Sequence, residues 1–220
     1  VDGAYGAAAA VAPEHRTVLA GCDRADSIVV NPHKWLMTPM DASALYLRDL
    51  ECLRRAFSLV PEYLRTTEGD AGQVMDLMDY GLQLGRRFRA LKLWFVIRAH
   101  GADGLAEHIR SGCRLARALA GWVSVAPGWR LMAPVPLSTV CLRYEGEPGA
   151  ADAEELDRIN ARILERVNRD GEVMLSHTRL RGRLAIRVAV GNARTEEQHV
   201  ARAWSLLQAA AAAESGMGER

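Results

Sequence analysis

Two lysines, Lys34 and Lys92, stand among 26 arginines in this sequence. Arginine stays charged at any working pH, whereas a lysine amine can lose its proton and attack a carbonyl carbon. Lys34 lies in Asn31-Pro32-His33-Lys34-Trp35, where Pro32 fixes the turn and holds the amine rather than leaving it loose in solvent. Asp2 precedes it by 32 residues. An amine of this kind condenses with an aldehyde. A carboxylate paired with a heterocyclic nitrogen keeps that nitrogen protonated.

The surrounding pattern supplies elements to position these groups. Ser27-Ile28-Val29-Val30 is a short β-branched run ahead of Asn31-Pro32, which predicts a buried strand ending in a turn. Asp2 falls near the end of another strand. One carboxylate and one amine, each at a strand end, are the minimum for a pyridoxal phosphate site. Taken singly, each candidate has a plainer reading. Asp2 could sit in a turn, Asn31 could start one, and His33 could be a buried structural histidine.

Further along, 43–47 reads as a strand and 50–57 as a short helix. Residues 60–81 lack periodicity and read as a long loop of the functional kind. From Leu84 to His100 the apolar spacing predicts a largely buried helix, with Trp94 and Phe95 in the core, ended by Gly101. Lys92, beside Trp94, reads as structural. A second helix runs toward Trp122. Strands at 138–144, 173–175 and 184–190 then alternate with helices at 152–168 and 195–210, and Thr195 to Gln198 carries capping-box chemistry. This predicts a small α+β unit, with a domain boundary near 121–130.

Composition narrows the classes of function. At 220 residues, with 49% hydrophobic and 25% charged residues, the chain can bury a core without cross-links. A net charge of +1 gives no pull toward nucleic acid or anionic membrane, and Arg86, Arg87 and Arg89 lack the aromatic interleaving of an RNA-binding stripe. No apolar run approaches the roughly 20 residues needed to span a bilayer. Cys22, Cys52, Cys113 and Cys141 are too scattered for a zinc site or a disulfide framework, so a reducing, cytoplasmic compartment and no metal are expected. The sequence begins at Val1, which reads as a cut through a longer protein, and Ala209 to Arg220 reads as a helix end and tail.

Val-Asp-Gly-Ala-Tyr-Gly at 1–6, Ala25-Asp26-Ser27, Asn-Pro-His-Lys-Trp at 31–35 and the run from Leu84 to Phe95 together resemble the group II pyridoxal-phosphate-dependent amino-acid decarboxylases, and within them the aromatic-L-amino-acid branch. The resemblance extends over nearly the whole chain, in order. It implies the α/β, type I fold of pyridoxal phosphate enzymes, with 1–121 the rear of the large cofactor domain and 122–220 the small C-terminal domain. It also implies pyridoxal 5′-phosphate as cofactor, an amino acid as substrate, and a homodimer that shares its active sites.

The residue roles implied by the resemblance are as follows. Lys34 is the amine that holds the cofactor, and Asp2 is the partner of its ring nitrogen. Ala4 is the small residue against the flat ring. Asn31 is a phosphate ligand, with His33 close by. Tyr63, in Pro61-Glu62-Tyr63-Leu64, is the loop tyrosine that returns a proton to the substrate carbon, although an ordinary loop anchor is its plainer reading. Gly85 stands where aromatic-specific members carry Gly and the histidine-specific branch carries Ser. Gly3, and Gly6-Ala7, depart from the family's usual Ala and Ala-Gly. The family's phosphate-cup serine and ring-stacking histidine have no counterpart here, so the chain alone is expected to be inactive. The alternatives are an aldehyde synthase on the same scaffold, which tends to carry Phe at the position of Tyr63, or a non-catalytic remnant.

Overall fold

The computed structural model describes residues 1–59, 74–147, 149 and 151–215. The chain forms two compact units, Val1–Ala102 and Asp103–Arg220.

In the first unit the strand expected after Asp26 is present as β1 (Ser27–Val30), half-buried along its length rather than fully buried. A single helical turn, α1 (Pro32–Trp35), follows directly, with Pro32 at a position where its missing N–H costs nothing. β2 (Ala44–Leu47) returns antiparallel to β1, pairing Ser27 with Leu47 and Val30 with Ala44. On the other side of β1 the chain start makes an isolated parallel bridge, Asp2 to Val29. Short 3-10 turns at Gly6–Val11, Pro13–Leu19 and Cys22–Arg24 carry the chain from that bridge to β1. α2 (Glu51–Phe57) follows β2.

The long helix α3 (Ala90–Val125) begins later than the apolar pattern predicts, and it is interrupted at Gly101 (φ 66°, ψ 178°), where the sequence places a helix end. The expectation that its first segment lies in the core is corrected. Phe88, Trp94, Phe95 and Ile97 are 74%, 53%, 58% and 45% exposed. Helical periodicity identifies an apolar face but not what covers it.

The second unit is an antiparallel sheet in the order β3 (Trp129–Leu131), β4 (Thr139–Tyr144), β6 (Arg183–Ala189), β5 (Ser176–Leu180). It packs with the end of α3, with α4 (Ala153–Arg169) and with α5 (Glu197–Ser215). Leu119, Val123, Leu142, Ile163, Ile186 and Leu207 are fully buried in its core. By packing, the two compact units divide at 102/103. Leu115, Ala116, Leu119 and Val123 bury their side chains in the second core, which draws this stretch of α3 into that unit.

Local signals explain most of these elements. Asp152 caps α4 by accepting from the Glu155 amide at 2.8 Å, as a short acceptor ahead of an amphipathic run should. The strand expected at 173–175 begins at Ser176 instead, because Asn168 ties down both backbone groups of Leu175. At the start of α5 the Glu196 amide donates to His199 Nδ1, so the capping box expected from Thr195 is replaced by a histidine cap.

Candidate active site

The site is built where the chain start runs beside β1. The Val29 amide donates to Val1 O at 3.2 Å, and the Asn31 amide donates to Ala4 O at 3.1 Å. The stretch from Asp2 to Ala4 is thereby laid alongside Val29 to Asn31. Gly3 is needed at this approach, because a Cβ there would stand 2.7 Å from the Ala7 Cβ and 3.0 Å from Val29 O. That explains in physical terms why Gly suits a position where relatives of this kind were expected to carry Ala. The backbone there runs against a neighbouring carbonyl. Asp2 Oδ1 accepts from the Ala4 amide at 3.0 Å, which orients the carboxylate over the buried Ala4.

Lys34 sits on the one-turn helix α1 rather than in an irregular turn. Its side chain is exposed, and no hydrogen bond or ion pair holds its amine among the described residues. Its neighbours are held firmly. Asn31 Oδ1 accepts from Ser43 Oγ at 2.6 Å. His33 Nδ1 lies within hydrogen-bond reach of both backbone groups of Ala42, and it accepts from the Ala42 amide at 3.1 Å when unprotonated. The His33 amide donates to the same residue's carbonyl at 3.4 Å. Trp35 is fully buried and stacks on Tyr5.

The structure thus brings Asp2, Ala4, Asn31, His33 and Lys34 into one part of the first unit. Tyr63 lies outside the described residues. The sequence reading missed Tyr5, Ala42 and Ser43, which hold the site together. Only Tyr5 could have been suspected, as an aromatic three residues after Asp2.

An exposed amine with no partner among the described residues thus lies one turn beyond the strand that bridges to Asp2. The sequence matches the pyridoxal-dependent decarboxylase conserved domain over residues 1–145. The chain belongs to the pyridoxal-dependent decarboxylase family. It is 41% identical over 210 residues to tryptophan decarboxylase 1 of Oryza sativa subsp. japonica, covering 94% of this chain and 41% of that protein. It is 38% identical over 208 residues to phenylacetaldehyde synthase of Arabidopsis thaliana, covering 94% of this chain and 42% of that protein. Among solved structures it superposes on Oryza sativa TDC with PLP and tryptamine at a TM-score of 0.88 and 40% identity, over 96% of this chain and 44% of that one.

The chain therefore has the fold of the family's pyridoxal phosphate enzymes, with pyridoxal phosphate as the cofactor its family uses. It spans about two fifths of the length of the relatives it matches. Among the described residues no group of His, Cys, Asp and Glu could hold a metal ion, and no helix is long and apolar enough to cross a membrane.

Proposed function

We propose that this chain supplies the lysine-bearing part of an L-amino-acid decarboxylase that acts on aromatic substrates. The observation that carries the reading is the pairing of Asp2 with Val29, which sets the carboxylate beside the strand that leads into Lys34. Residues 1–121, proposed as the rear of the cofactor domain, contain the whole unit Val1–Ala102 and every candidate residue.

Pyridoxal phosphate, when bound, supplies an aldehyde that accepts amines and a ring that withdraws the electron pair left when carbon dioxide departs. Lys34 would hold that aldehyde through its amine. Asp2 keeps a proton on the ring nitrogen. Its Oδ1 is used by the Ala4 amide, which leaves the second oxygen for that task. A fixed negative charge beside that nitrogen would be preorganised electrostatic stabilisation. Ala4 offers a flat, small surface to the ring. Asn31 turns its carbonyl oxygen to Ser43, so its amide nitrogen is left to donate to the phosphate, and His33 lies next to it. Tyr63 returns a proton to the substrate carbon as a general acid.

The assembly proposed is a homodimer whose loop carrying Tyr63 covers the neighbour's cofactor, in a reducing cytoplasmic compartment. Gly85, which stands where aromatic-specific members of the family carry Gly, supports an aromatic substrate.

A second reading, aldehyde synthesis, is favoured by the likeness to phenylacetaldehyde synthase. The tyrosine at position 63 favours decarboxylation. Both are tested by expressing the protein from its complete reading frame with pyridoxal phosphate and supplying tryptophan, tyrosine, phenylalanine and histidine in turn. Amine and carbon dioxide in equal amounts from an aromatic substrate is the expected result. Aldehyde and ammonia as main products support the second reading, and no product from any aromatic amino acid refutes both. The 220-residue chain by itself is expected to give no product.

A further inference from the structure

Asp41 gathers three cations, Arg87 and Arg89 from the stretch leading into α3 and Lys92 from its first turn. Arg87 Nη2 donates to its Oδ1 at 2.7 Å, and Arg89 Nε donates to its Oδ2 at 2.8 Å, so each carboxylate oxygen has its own guanidinium. Lys92 Nζ donates to the carbonyls of Asp41 (2.7 Å) and Pro39 (3.0 Å), which pins the backbone on both sides of Met40. The arginine-rich run thus holds a loop that contains no reactive group of its own.

The loop's next two residues explain what is held. Ala42 presents its amide and carbonyl to His33, and Ser43 donates to Asn31. Residues 41, 42 and 43 in succession therefore grip the arginine run, His33 and Asn31. These last two flank Pro32 and lead straight into Lys34. The Lys34 amine has no partner among the described residues, so its placement comes wholly from the backbone turn beneath it.

We propose that Asp41 is a positioning residue for Lys34, acting through Ala42–His33 and Ser43–Asn31 with Arg87, Arg89 and Lys92 as its anchors. The inference rests on the reading of Lys34 as the amine that holds the cofactor. The ion pairs are partly exposed, Asp41 at 43% and Arg87 at 74% of the side chain, and such pairs contribute little to global stability. Their loss should therefore show in cofactor placement before it shows in unfolding.

The experiment compares wild type with Asp41→Ala, Asp41→Asn and Arg87→Ala, each expressed from the complete reading frame. Three quantities are read: the melting temperature without cofactor, the Kd for pyridoxal phosphate from tryptophan fluorescence, and the yield of pyridoxyl adduct on Lys34 after borohydride reduction. Lys92, the other lysine of these 220 residues, serves as an internal reference in the peptide map. Asp41→Ala should weaken cofactor binding about tenfold, the size of one coupling within a contact network, and lower the adduct yield. Asp41→Asn keeps the oxygen that accepts from Arg87 and should restore part of the loss. Arg87→Ala should show a smaller effect of the same kind at an unchanged melting temperature. Wild type with no adduct on Lys34 overturns the parent reading and this one together. Wild type trapped on Lys34, with Asp41→Asn and Arg87→Ala both binding cofactor as it does, overturns the positioning role alone. If Asp41→Ala fails to fold, those two variants decide the matter.

Discussion

Tyr5 lies flat on Trp35, with ring centroids 4.7 Å apart and planes 2° apart. The pair joins the segment that carries Asp2 to the turn that carries Lys34. Trp35 is fully buried, so the stack keeps water from the underside of that turn. Aromatic pairs contribute roughly 0.5–1.5 kcal/mol beyond their area. Tyr5→Leu is expected to lose about 1 kcal/mol of stability in urea titration and to shift the Trp35 fluorescence to longer wavelength. Unchanged stability with unchanged emission would show that the two rings are neighbours and nothing more.

Lys34→Arg keeps a positive charge at the same place but removes an amine that can release its proton. Because the side chain is exposed and makes no bond among the described residues, the melting temperature without cofactor should stay at the wild-type value. Borohydride should leave no pyridoxyl group on the peptide containing position 34. An adduct that moves to Lys92 with activity retained refutes the assignment of Lys34.

Tyr63→Phe keeps the ring and removes the proton. Cofactor binding should hold, while amine release falls by about 10²-fold or more, the range for loss of a general acid. Where oxygen is present, part of the turnover should appear as aldehyde, ammonia and peroxide. Amine, aldehyde and peroxide measured side by side decide it, and an unchanged amine yield makes Tyr63 a bystander.

Asp157 and Arg143 form a 2.6 Å ion pair, with the Arg143 side chain 1% exposed. Burial alone would raise the Asp157 pKa, but the Leu184 amide, Arg143 and Arg179 outweigh it and hold the carboxyl below its ordinary range. A lowered folded-state pKa gives stability that is complete above the unfolded value of about 3.9 and is lost as pH falls through the lowered one. Asp157→Ala leaves a buried guanidinium without its carboxylate and should cost about 3 kcal/mol at neutral pH. The variant should also lose less stability on acidification than the wild type. Chemical denaturation at neutral and acid pH tests both, and parallel pH curves would show that Asp157 does not carry the effect.

Local chemistry was legible in the sequence wherever it depends on near neighbours. The turn at Asn31-Pro32, the strand before it and the amphipathic helix from 152 all follow from propensity and periodicity, and the structure has each of them. The rarity of lysine narrows the amines to Lys34 and Lys92 before any geometry is known. Tertiary structure decided the rest, because partners distant in sequence carry no local signal. Periodicity placed Trp94 and Phe95 on an apolar face, yet both stand more than half exposed. Nothing in the composition of Arg87 and Arg89 names Asp41, nearly fifty residues away, as their shared carboxylate. The sequence alone determined which residues could do chemistry and the elements that carry them. Only the fold decided that Asp2 would lie beside Val29 and that Ala42 would meet His33, since such contacts form when separate segments pack and each excludes water from the other.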